Sequence, residues 1–173
     1  MFPFFMQQNQ SLTHSIRKQK SNNFMKNLTV KLFEIYSLQS ELNGLINQQN
    51  GEKVKSGILD EEIGLVAKYW INQLNDVVNA EAKTLDSQRE ELIKKYGTAD
   101  EQGGVSLQMV IKEMDKDGKE VSKMNPNFAE FNKEFNELLS QEKELSYHPI
   151  KLETLKDVKS GNNYPTFFKF VEA

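Results

Sequence analysis

The feature that most constrains this chain is one apolar stripe sustained over about five heptads. Ile63, Val66, Ala67, Trp70, Leu74, Val77, Val78, Ala82, Leu85, Leu92, Ile93 and Tyr96 recur at helical spacing. Asp60, Glu61 and Glu62 stand where the first turn would fall, and Lys94 and Lys95 where the last would. That is the polarity a helix dipole favours. Gly97 follows as a stop signal. The pattern predicts a helix over 58–96, roughly 55 Å long from Asp60 at ~1.5 Å per residue. A chain of 173 residues needs no helix of that length for one compact core. The stripe therefore predicts a helical hairpin or a coiled-coil partner.

Two further helices are expected. Leu28, Leu32, Ile35, Leu38, Leu42, Leu45 and Ile46 put a stripe on 28–48, with Asn27 or Thr29 as cap and Asn50-Gly51 as the end. Asn125-Pro126 opens a helix over 126–145, because proline at the first helical position loses no needed N–H. Phe128, Phe131, Phe135, Leu138 and Leu145 line it, and the three phenylalanines are expected to anchor the core. Between the second and third helices the period changes. Val105, Leu107, Met109 and Ile111 alternate, and Asp115-Lys116-Asp117-Gly118 is a turn signal, so a β-hairpin is expected over 105–123. Residues 99–104 read as a flexible approach to it. Tyr147 to Leu152 read as an edge strand, since Pro149 fits only where its missing N–H is not needed. Residues 156–163 read as a loop. Pro165 opens either a short helix docking the terminal phenylalanines or a strand.

The fold expected is α+β, mainly α: an elongated antiparallel helical hairpin with a small β-hairpin at its tip and a short C-terminal strand. Residues 27–173 form the single domain. Residues 1–26 read as a disordered basic leader, with Met25 as an alternative start. The leader carries Arg17, Lys18, Lys20 and Lys26 and no acid, so the overall charge of −3 divides into +4 for the leader and −7 for the rest. The apolar run Met1–Met6 is too short for a signal peptide or a membrane span.

Chemistry-bearing residues are sparse. The chain has no cysteine, so neither a disulfide framework nor a thiolate site exists. Its two histidines are His14, in the leader, and His148, beside Pro149. Neither sits in a zinc spacing or a triad pattern. The Asp115 loop fails the calcium-loop rule, since Lys119 and Glu120 occupy its fifth and sixth positions. Gly103-Gly104 is not followed by a phosphate-loop lysine. Acid pairs such as Glu61/Glu62, Glu90/Glu91 and Glu142/Glu144 read as solvated faces. Basic residues are interleaved with acids, which leaves no nucleic-acid stripe. The expectation is a non-enzyme with no cofactor, metal, small-molecule substrate, nucleic-acid or membrane partner. Trp70, Leu74, Val77, Phe128, Phe131, Phe135 and Leu138 are the core or interface candidates.

Several segments resemble a family of small uncharacterised tailed-bacteriophage proteins, a domain of unknown function. They are Ala67-Lys68, Gln88-Arg89-Glu90-Glu91-Leu92-Ile93-Lys94-Lys95-Tyr96-Gly97, Asp100-Glu101-x-Gly103, the Asn125-x-x-Phe128-x-x-Phe131-x-x-Glu134-Phe135-x-x-Leu138-Leu139 helix, Glu142-x-Glu144-Leu145 and Ile150-x-Leu152. The likeness spans 66–155, about half the chain. It implies a phage accessory protein of the virion or host cytoplasm, and it carries no catalytic residue. Three functions follow as expectations: a virion structural or assembly component contacting itself or other phage proteins, an inhibitor of a host or defence protein, and, weakest, an enzyme using Glu134, Glu142 and Glu144.

Overall fold

The computed structural model describes residues 25–156, 158 and 164–173. The expected leader, up to residue 24 and including His14, lies outside these residues, as does most of the 156–163 loop. The leader's last residue does not belong to a leader: Lys26 opens a strand.

The elements run β1 (Lys26–Lys31), α1 (Leu32–Asn43), β2 (Leu45–Ile46), β3 (Lys53–Lys55), a 3-10 turn (Ile58–Asp60) and α2 (Leu65–Tyr96). Then come β4 (Thr98–Ala99), β5 (Val105–Ser106), β6 (Val110–Met114), β7 (Glu120–Met124) and α3 (Pro126–Leu139). The chain closes with β8 (Glu142–Tyr147), β9 (Ile150–Lys151), 3-10 turns at Leu152–Leu155 and Phe167–Phe170, and β10 (Val171–Glu172). Strands pair two by two: β1–β8, β2–β3, β4–β5 and β6–β7 antiparallel, β9–β10 parallel.

This is not the elongated helical hairpin that the stripe predicts. The partner of α2 changes along its length. Its middle, from Asn75 to Asp86, runs beside α1, and the much shorter α3 folds back only beside its C-terminal end. The buried row is Ala67, Ile71, Leu74, Val78, Ala82 and Leu85, whereas Val66 and Val77 lie exposed. The core surrounds that row with Val30 of β1, Ile35, Leu38 and Leu42 of α1, Ile58, and Leu145 and Tyr147 of β8. Tyr164, Phe167 and Phe170 at the C-terminus are fully enclosed. The α3 phenylalanines do not anchor this core; only Phe131 among them is buried.

Four helix boundaries differ from the sequence reading. The 28–48 helix begins four residues later. Leu28 and Leu32 fit a helix, but Val30 lies between them and is buried, so the spacing there is two. Lys31 then precedes the helix, and Glu34 reaches back to accept its N–H at 2.9 Å, so neither Asn27 nor Thr29 caps it. The helix stops at Gly44, with φ +81°, and Asn50-Gly51 instead turns the β2–β3 hairpin. The 58–96 helix starts at Leu65 because Asp60 turns back to accept the Gly57 N–H at 2.8 Å. The 126–145 helix ends at Leu139, since Leu145 and Tyr147 alternate into the core opposite β1. Lys143, on the same side, extends to Glu81 of α2 at 2.9 Å. Within the expected 147–152 strand, Pro149 separates β8 from β9.

Candidate interaction surface

The chemistry of the chain concentrates at the far end of α2. There the backbone turns without room for a side chain. A Cβ on Gly97 would sit 2.5 Å from the Ile93 carbonyl and 2.8 Å from that of Ser106. Two hairpins follow, built on one plan. Asp100 Oδ1 accepts the N–H groups of Gln102 and Gly104 at 2.9 and 2.7 Å. Asp115 Oδ1 accepts those of Asp117 and Lys119 at 2.9 and 2.8 Å. A short aspartate thus closes each turn by bonding its own backbone. The segment expected to be a flexible approach is therefore the first of these hairpins.

Asparagines join the hairpins to the helices. Asn125 accepts the Asn127 N–H at 3.0 Å as the cap of α3, and its amide donates to the Gln108 carbonyl at 2.8 Å. Asn127 donates to the Tyr96 carbonyl at 3.1 Å. Lys95 Nζ reaches Glu134 at 2.7 Å, and the Tyr96 hydroxyl donates to the same carboxylate at 2.7 Å. The bonds from Lys95 and then Tyr96 hold the Glu134 carboxyl below its usual range, and Glu134 in turn raises Lys95. A cleft of about 240 Å³ opens beside them between Leu92 and Leu138.

The β6–β7 hairpin presents two unlike faces. Directly opposed residues of an antiparallel pair share a face. Ile111, Glu113, Val121 and Lys123 make the side whose apolar residues are half-buried. Val110, Lys112, Met114, Glu120, Ser122 and Met124 make the other side. There Met114 is 72% exposed, Met124 66% and Val110 42%. The charges are neutralised within each face, Lys112 by Glu120 and Glu113 by Lys123. What remains open on the outer face is apolar and thioether surface.

The candidate residues scatter rather than converge. Leu74 is core, and Trp70 is half-buried, its ring stacked on His148 at 3.8 Å between centroids. His148 Nδ1 lies 3.0 Å from the Pro149 carbonyl oxygen, so that ring is spent on packing and a local bond. Val77 faces outward. Phe128, Phe131 and Phe135 stack in a row with centroid spacings of 6.1 and 5.7 Å. Leu138 lines the cleft against α2. Glu144 accepts from Asn27 at 2.8 Å, and Glu134 is held as above. Among the described residues, no group of three or more histidines or acids is placed to hold a metal ion. Glu134 is tied to Lys95 and Tyr96, whereas Glu142 and Glu144 lie on β8. No helix among those residues is long and apolar enough to cross a membrane.

Residues that the sequence reading passed over include buried Glu41, whose carboxylate accepts the N–H groups of Thr166 and Phe167 at 3.2 and 2.7 Å. They also include Asn43 and Asn75, whose amides bond each other reciprocally at 2.8 and 2.9 Å. The apolar face of the hairpin had a legible signal, namely Val110, Met114 and Met124 at even spacing on paired strands. The chain matches no protein-family model, no curated protein and no solved structure.

Proposed function

We propose that this chain is a non-enzymatic bacteriophage accessory protein that works through protein–protein contacts, as a virion structural or assembly component. The contact surface is the outer face of the β6–β7 hairpin. The observation that supports this reading is the exposure of Val110, Met114 and Met124 together, with the neighbouring charges already paired. Methionine side chains adapt to varied apolar surfaces, and exposed apolar groups gathered on one face are a feature of interaction sites. The hairpin is braced from behind by Asn125 and Asn127, so it is presented rather than loose. The resemblance of residues 66–155 to phage proteins supplies the context, the virion or the host cytoplasm.

Mass spectrometry of purified particles tests the reading. The chain is expected among the particle proteins or in assembly intermediates sedimenting with them. Detection in infected lysate but in neither fraction would overturn it and would favour action on a host protein.

A further inference from the structure

The two strands of the distal hairpin have open outer edges, and those edges differ. The inward bonds are Asp115 N–H to the Lys119 carbonyl at 2.8 Å and Asn125 N–H to the Met109 carbonyl at 2.9 Å. With the observed register, bonded pairs fall on the odd-numbered residues. The backbone groups of Glu120, Ser122 and Met124 therefore point away from β6, and those of Val110, Lys112 and Met114 point away from β7. Neither strand pairs with any third strand among the described residues.

We propose that the outer edge of β7 pairs antiparallel with β7 of a second copy, about a two-fold axis at Ser122, making a four-stranded sheet. In that register the outward groups of all three residues meet their counterparts. Glu120 faces Met124 of the other copy, Val121 faces Lys123, and Ser122 faces Ser122. No like charges are opposed, and the Val110, Met114 and Met124 faces of both copies lie on one side. The β6 edge lacks this self-complementarity in the register that uses all three of its outward residues, because a two-fold at Lys112 sets Lys112 against Lys112. Pairing through β7 also satisfies main-chain groups that an open edge leaves to water. The edge is short against the ~1,600 Å² of a typical stable interface, so the dimer is weak.

The inference rests on the reading that the hairpin makes protein contacts, but the two fail separately. A monomeric chain found in particles would overturn only the dimer. A dimer absent from particles and assembly intermediates would overturn only the virion reading.

The test uses the full chain, whose lack of cysteine makes any introduced thiol unique. Opposed Cα atoms of a bonded pair lie about 5.5 Å apart, within disulfide reach. Under mild oxidation the Ser122→Cys chain is expected to form a covalent dimer at least about tenfold faster than the Glu120→Cys chain, whose two thiols this register keeps about 13 Å apart along the strands. Sedimentation of the unmodified chain from about 10 to 500 µM is expected to shift toward dimer. Ser122→Lys, which opposes two lysines at the axis, is expected to abolish that shift with the melting temperature unchanged. Equal cross-linking at the two positions, a monomer throughout, or a dimer that survives Ser122→Lys would each overturn the proposal.

Discussion

Single residues set the joints of this molecule. Gly97 lets α2 hand over to β4 where the Ile93 and Ser106 carbonyls leave no space. Gly97→Ala is expected to cost about 1–3 kcal/mol through overpacking, measured by denaturant unfolding. Glu41 fastens the C-terminal turn by two backbone N–H groups. Glu41→Ala leaves both donors buried without an acceptor, and a loss of about 2–4 kcal/mol is expected in the same measurement. Tyr36 donates to Asp86 at 3.0 Å, and its pKa is pushed up to about 12, first by burial and then by that bond. A folded-state pKa above the unfolded value of ~10 means stability fully present below pH ~10 and lost as pH rises toward 12. Tyr36→Phe is expected to lower neutral-pH stability slightly. Its deficit relative to the parent chain should vanish between about pH 10 and 12. An unchanged deficit across that window would contradict the assignment.

At the scale of elements, α1 and α2 meet through two kinds of contact. Leu38, Leu42, Ile71, Leu74 and Val78 supply apolar burial. The Asn43–Asn75 amide pair, with Gln39 donating to Asn79 at 3.0 Å, adds a polar rung. Asn43→Leu or Asn75→Leu alone strands one amide and is expected to destabilise by about 1–3 kcal/mol. The double substitution should cost far less than the sum, a coupling that a double-mutant cycle measures. The same scale shows what the sequence made legible. Asn125-Pro126 marked the start of α3, and Asp115-Gly118 marked its turn, because each signal acts within four residues. The end of α3 and the start of α1 were not legible. Leu28, Leu32 and Leu145 satisfy helical spacing, and only the pairing of β1 with β8, more than a hundred residues away in sequence, decides for strand.

At the scale of the whole molecule, one end is a closed core and the other an open tip. The core is completed by the last ten residues, through Tyr164, Phe167 and Phe170. The tip is a pair of aspartate-closed hairpins set on the end of α2 and braced by α3. The open hairpin face was visible in sequence only as alternation. Among the described residues no third strand pairs with that hairpin, which no local pattern encodes. The central claim is that this face is the working surface. Its most direct test is to place Met114→Glu and Met124→Glu in the full chain, then to measure both the melting temperature and the amount carried into purified particles or assembly intermediates. Both methionines are already largely in water, so the melting temperature is expected to stay within a few degrees, about the effect of 0.5 kcal/mol. Association is expected to fall at least about tenfold, as burying a carboxylate against an apolar partner would cause. An unchanged melting temperature with full association would contradict the account.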